Sequence, residues 1–288
     1  MSIFLTLFIN GLAEAALLFL LAAGLTIILG MMGVLNFAHG TLFLWGGYVH
    51  VWLFALTGDF LLSLAGATAA GFLLGLCFER LFIRGFYGRP TAQILITLGL
   101  MIVFTELARL LWGPDAIVAV RPAALSGTLT FQGAIISRYR LFLILVGAAF
   151  AALLHLLMQK SRIGMVIRAG VQSAEMVQAL GINIRSYFSF VFAAGAAMAA
   201  LGGALYAPMV GGVWSGMGIA NQILAFIVVV IGGLGSFGGS AAGSVLLGLG
   251  GAAIAWFFPP GVVVGHVLLM AAVLSFRPAG LFGLAVRR

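Results

Sequence analysis

An all-α polytopic membrane protein with eight or nine transmembrane helices is what this sequence predicts, and three observations predict it. Of 288 residues, 64% are apolar and only 7% charged, whereas soluble chains carry roughly a quarter charged residues. The mean hydropathy is +1.25, and the apolar residues run in blocks near the ~20 needed to cross a bilayer. The basic residues gather at the ends of those blocks. That is the pattern of membrane topology and not of a nucleic-acid-binding face, so the net charge of +8 implies a lipid bilayer and no nucleic acid as partner.

Leu12–Leu29 is the first predicted span. The residues before it, MSIFLTLFIN, lack the basic start of a cleavable signal peptide and predict an N-terminus on the outer side. Glu14 lies near the start of this span, and two readings stay open for it, a pore-facing group or a residue of the outer headgroup zone. Val34–Leu56 follows, made irregular by Asn36, His39 and several glycines. Phe60–Phe82 and Ala92–Trp112 enclose a turn bearing Arg80, Arg84 and Arg89. Glu106 and Arg109, spaced i, i+3 near the outer end of the fourth span, predict a local ion pair.

The segment Gly113–Arg140 contains Pro114, Pro122 and the alternating run GTLTFQGAI, which predicts a small hairpin. Leu141–Met158, Tyr187–Val210, Ile219–Gly233, Ala241–Phe258 and Val262–Phe276 complete the spans. The irregular second and the short seventh leave the count at eight or nine. Nine spans put Arg80, Arg84, Arg89, Lys160, Arg162, Arg168, Arg185, Arg277, Arg287 and Arg288, 10 of the 14 basic residues, on one side. That side is read as cytoplasmic and holds the C-terminus. Arg121, Arg138 and Arg140 run against the rule. No domain boundary is visible, so residues 1–288 read as one unit.

Between Lys160 and Ile184 lies the longest polar interruption of the second half, KSRIGMVIRAGVQSAEMVQALGINI. Ser173 is placed to cap a short helix, Glu175 suits its first turn, and Gly181 stops it. Met176, Val177 and Leu180 fall on one face by spacing. A helix of about two turns is unstable alone in water, which predicts that it docks on something outside the bilayer. An ordinary solvated loop fits the same spacing.

Candidate chemistry is sparse. Asn36 and His39, three apart, share a face if helical. NFAHG then either lines a pathway at a break in the span, or holds Asn36 to satisfy freed backbone groups with His39 at the interface. The glycine-punctuated stretches Gly30–Gly47 and Gly232–Gly243 each join two apolar spans and read as a possible internal repeat around a pathway. GGxGSxGG lacks the lysine and setting of a phosphate loop, and small-residue runs such as Ala196–Gly203 read as helix packing. His50, His155 and His266 are isolated, without metal-ligand spacing, and the single Cys77 lies in an apolar run. The chain offers no catalytic set, metal cluster or nucleotide motif, so it reads as no enzyme and as holding no cofactor. Few carboxylates lie deep in the spans, which favours an external motor over a coupling-ion site.

Three stretches together resemble the branched-chain amino acid permease family of ATP-binding-cassette importers: GLTIILGMMGVLNFAHGTLFLWGGYV (Gly24–Val49), GMVIRAGVQSAEMVQALGINI (Gly164–Ile184), and VIGGLGSFGGSAAGSVLLG (Val230–Gly248) with the closing FRPAGLFG (Phe276–Gly283). The resemblance covers most of the chain in order and is weakest over Gly113–Arg140. It implies an inner-membrane permease subunit paired with a second, related permease subunit as a heterodimer. Two cytoplasmic ATPase subunits would bind the ATP, and a periplasmic binding protein would deliver the substrate. The loop at about 160–186 would then hold the cytoplasmic coupling helix, with Gly164, Arg168, Ala169, Glu175, Ala179, Gly181, Ile182 and Asn183 at the ATPase interface. Asn36, His39, Gly40, Gly232, Gly233 and Gly235 are expected along the substrate pathway. The cargo expected is a branched-chain amino acid; the family also carries urea and short amides, and a gradient-driven transporter or channel is the competing class.

Overall fold

The computed structural model describes residues 2–131 and 133–283; Arg287 and Arg288 lie outside the described residues. Helix α1 (Ser2–Met32) forms the axis of the bundle. Beyond Glu14 it is apolar all round save for Thr26, and Leu17–Ile28 are buried without interruption, as expected of a segment with no polar face. Against it pack α8 (Ile184–Val210) and α10 (Phe237–Phe257), and α2 (His39–Thr57) and α3 (Phe60–Cys77) pack in turn on α8. Small residues permit these close crossings: a methyl group on Gly24 would collide with Gly195 of α8, and one on Gly11 with the backbone of α10. Thr26 and Ser240 share a hydrogen bond of 2.5 Å between α1 and α10.

The outer layer is α4 (Pro90–Trp112), α5 (Arg138–Lys160) and α11 (Val262–Phe276). Leu95, Ile102, Leu110, Leu145 and Leu268 are exposed on these helices, an apolar belt too extensive for water. Among the described residues, eight helices are long and apolar enough to cross a membrane. The ninth apolar helix, α9 (Met217–Gly232), has 16 residues and reaches only about 24 Å, short of the ~30 Å core. That shortness is why the sequence left the count open.

Boundaries differ from expectation where polar groups sit. The first helix extends at both ends, from Ser2 to Met32. The second begins at His39 instead of Val34, because residues 33–38 form a non-helical connection in which Val34, Asn36 and Ala38 are buried. Helix α3 continues through a π-helical turn, Phe78–Ile83, and a 3₁₀ turn to Phe86. The expected hairpin is present as β2 (Thr128–Phe131) paired antiparallel with β3 (Ala134–Ser137). Nearby, β1 (Ile117–Val118) pairs with β4 (Gly212–Val213). Arg121, one of the arginines against the charge rule, donates from Nε to Pro208 O (2.9 Å) and from its terminal nitrogen to Met209 O (3.0 Å). It caps the carbonyl end of α8, where a cation is favoured. The closing segment caps α9 likewise: Leu281 N donates to Ile231 O (2.8 Å) and Phe282 N to Gly232 O (3.0 Å).

Candidate functional site

Two polar regions stand out, one inside the bundle and one at its end. The inner one is the connection at residues 33–38. Asn36 and His39 are both fully buried, but they do not share a helical face, since Asn36 precedes α2. The Asn36 side-chain oxygen instead accepts from Ala38 N (3.0 Å), turning the chain into the helix. His39 Nε2 lies 3.0 Å from Leu21 O. Leu21 is eleven residues before the end of α1, roughly 16 Å along it, so α2 starts deep in the bundle and His39 is not at the interface.

Buried backbone groups at such a break need partners. Thr97 Oγ1 of α4 donates to Leu35 O (3.2 Å). Gln222 of α9 supplies two more: its Nε2 donates to Asn36 O (3.3 Å), and its Oε1 accepts from Gly40 N. Gly40 packs directly on Gly218, where any side chain would collide. Asn36 Nδ2, His39 Nδ1 and Gln93 Nε2, one turn before Thr97, are buried without a hydrogen-bond partner among the described residues. The break therefore carries polar capacity beyond its own backbone's needs. Sequence reasoning passed over Gln222; the signal was the amide pair Asn221 and Gln222 opening the apolar run ANQILAFIVVV.

Gly232, Gly233 and Gly235 do not join this cluster. They lie at the far end of α9, about 15 Å along the helix from Gln222. Gly233 (φ +98°) and Gly235 (φ +77°) turn the chain into α10. Gly233 abuts Gly280 and Gly283, and Gly235 abuts Gly30, so the two glycine-rich stretches touch at one end of the bundle. His50 is not isolated, for its Nδ1 lies 2.9 Å from Ser63 Oγ. Glu106 and Arg109 form the expected ion pair at 3.0 Å, exposed to solvent.

The second region, at the bundle's end, is built from two helices where one was expected. Helix α6 (Arg162–Gln172) precedes α7 (Ala174–Ala179). The spacing of its buried Gly164, Ile167 and Gly170 was the unread sign of an amphipathic helix. Ser161 Oγ accepts from Gly164 N (2.9 Å), and Ser173 Oγ from Met176 N (3.2 Å). Gly181 (φ +81°) ends α7 as expected: its N donates to Gln178 O (3.0 Å) and Ile182 N to Val177 O (3.4 Å), the reciprocal pattern of a Schellman stop. Met176, Val177 and Leu180 do not act as one face. Val177 is buried against the bundle, whereas Met176 and Leu180 are 64% and 74% exposed. Arg168, Ala169, Glu175, Ala179, Gly181 and Asn183 are exposed, Ile182 is half-buried, and Gly164 is buried in the α5–α6 turn.

Behind α7 lies a groove of about 760 Å³ lined by Arg80, Arg84, Tyr87, Glu175, Gln178 and Arg185 among others. Glu79, fully buried at the π-helical turn, accepts from Tyr87 Oη (2.6 Å) and Ser189 Oγ (2.5 Å). It ties α3 to α8 and to the approach of α4. Burial, then the hydrogen bond to Glu79 and that group's charge, push the Tyr87 hydroxyl up from its ordinary value, so it remains a donor throughout the working range. The sequence gave no sign of Glu79's partners, which are 8 and 110 residues away.

Eight spanning-length helices among the described residues, packed about a buried polar break, with a capped helix pair presented at one end, define a polytopic membrane protein. The family model for the branched-chain amino acid transport system permease component matches residues 7–275, and the chain belongs to that family. It is 32% identical over 291 residues to the high-affinity branched-chain amino acid transport system permease protein BraD of Pseudomonas aeruginosa, covering 96% of this chain and 94% of that protein. It is 28% identical over 298 residues to the permease protein LivH of the corresponding Escherichia coli K12 system, covering 97% and 96%. No solved structure gives a significant match.

Proposed function

We propose that this chain is the permease subunit of an ATP-driven importer of branched-chain amino acids, working with a second permease subunit, two ATPase subunits that bind the ATP, and an external binding protein. The observation that carries the reading is the near full-length family match, in a chain whose α6–α7 pair offers a docking surface. The end bearing Arg80, Arg84, Arg168 and Arg185 then faces the cytoplasm of the inner membrane, with the N-terminus outside. Glu175, exposed on α7 beside Arg168, Ala179 and Asn183, meets the ATPase.

Motion applied to α7 has two rigid routes inward. Val177 is buried against the bundle where α7 abuts α8, and Gly170 of α6 packs on Met31 of α1 and Ile184 of α8. Helix α1 leads directly into the break, so a displacement at its end reaches Asn36 and His39. Those groups, with Gly40 and Gln222, line the substrate pathway, and the bend at Gly232, Gly233 and Gly235 flexes at its cytoplasmic end. Co-expression with candidate ATPase subunits tests this reading. Co-purification, with uptake of leucine, isoleucine and valine into vesicles only when ATP is supplied, is the expected outcome. Uptake by this chain alone without ATP would overturn it.

A further inference from the structure

We propose that the pocket at the end of the bundle opposite α7, between Glu14 and Arg140, is an entry site that holds a zwitterionic amino acid by both its charges; this rests on the importer reading above. The pocket has a volume of about 240 Å³ and is lined by Asn10, Glu14, Arg140, Met209 and Trp256, with Leu7 beside them. They come from the same end of four helices: α1 supplies Leu7, Asn10 and Glu14, the first turn of α5 Arg140, the last turn of α8 Met209, and the last turn of α10 Trp256. Glu14 precedes Met31, which packs on α6, by seventeen residues, or roughly 26 Å of helix. The site therefore lies on the side from which an importer receives cargo.

The chemistry suits a free α-amino acid. A carboxylate and a guanidinium line one cavity, yet they form no ion pair with each other, the one within 4.0 Å among the described residues being Glu106–Arg109. Ionisable groups in a spanning helix are costly and mark pathways when they face a cavity. Space between two opposite charges is what a zwitterion fills. Its ammonium faces Glu14, and its carboxylate takes the planar donor fork of Arg140. The aliphatic side chain lies against Leu7, Met209 and Trp256, and the Asn10 amide adds a polar contact. The volume falls below the roughly 300–1,000 Å³ of drug-sized pockets, the scale of one small ligand. A neutral amide such as urea satisfies neither charge.

The test is leucine uptake by the full assembly in vesicles, at limiting substrate, with E14Q, R140Q, E14Q/R140Q and R140K permeases. The amount inserted and the basal ATP hydrolysis of each variant are measured alongside. Each single neutral variant should lower uptake about tenfold or more, R140K should retain a substantial part, and the double variant should be no better than the worse single. If the two groups only compensate each other within the membrane, removing both restores uptake towards wild type, because no unpaired charge is left; that result would sink the proposal. Unchanged uptake in the singles would do the same.

A phospholipid headgroup presents the same pair of charges. In vesicles of phosphatidylglycerol alone, whose headgroup carries no cation, wild-type uptake should persist; a fall to the variants' level there would assign the pocket to lipid and overturn the inference. Failure of the wild-type assembly to move any amino acid would remove the cargo reading and this site with it. Wild-type uptake with indifferent variants removes only the site.

Discussion

Between Met32 and His39 the chain gives up helical hydrogen bonding inside the bundle; between Lys160 and Ile184 it does so at the bundle's surface, at Ser161, at Ser173 and at residues 180–183. The two interruptions use opposite means. At the surface, caps come from neighbours in sequence: Ser161 serves Gly164, Ser173 serves Met176, and Gly181 closes α7 by a three-residue contact. Inside, beside the local turn of Asn36 Oδ1 on Ala38 N, they come from afar: Thr97 serves Leu35 across 62 residues, and Gln222 serves Gly40 and Asn36 across 182 and 186. Water can replace a failed cap at the surface. Nothing replaces one within a membrane. The inner break is therefore rigidly specified and intolerant, while the outer segment is locally built and free to meet a partner.

The largest effect expected from breaking that contrast is at Gln222. Gln222→Leu keeps the volume but leaves Gly40 N without its partner and Asn36 O with only the long contact from His39 N (3.4 Å). A buried orphan costs about 1–3 kcal/mol, so a loss of that order is expected, seen as a lowered unfolding midpoint in detergent together with abolished uptake. A variant with unchanged midpoint and uptake would show that the break is held by something other than this amide.

The same contrast explains what the sequence made legible. Caps and stops spaced three apart can be read directly, so Ser173 as the cap, Glu175 in the first turn and Gly181 as the stop of α7 stand where the spacing predicts them. Spans were legible because a bilayer demands length and hydropathy, and the Thr128–Ser137 hairpin because strands alternate. Gln222 and Glu79 were not, since their meaning depends on residues brought near only by the packing of α2, α3, α8 and α9. Expecting Met176, Val177 and Leu180 on one face failed for a related reason. Periodicity groups residues around a helix, but in six residues it cannot tell which of them the bundle covers. Val177 was covered, and the other two were left to a partner.

At the surface segment the expected effect is on coupling more than on stability. Gly181→Val puts a β-branched residue at φ +81°, costing about 1–2 kcal/mol locally and tilting the start of α8 relative to α7. Glu175→Arg reverses the exposed charge at the docking face without touching the fold. Both should insert and assemble normally, yet move several-fold less leucine per ATP hydrolysed. Normal stoichiometry in both would detach α7 from the ATPase contact and leave the interruption a plain loop.

The smallest effect separates the two serine caps. Helix α7 has six residues and only Val177 buried, so little besides its ends keeps it formed; α6 buries Gly164, Ile167 and Gly170 along its length. Removing an N-cap costs about 0.5–2 kcal/mol. In α7 that is comparable to all the helix has, since so short a helix repays its nucleation poorly. Ser173→Ala should accelerate amide hydrogen exchange across 174–180, whereas Ser161→Ala should change 162–172 much less. Binding of the ATPase should erase the difference at α7, because a docked helix no longer depends on its cap. If exchange at α7 is indifferent to Ser173 in the free permease, the bundle holds the helix through Val177 alone, and its readiness to dock owes nothing to the cap that made it readable.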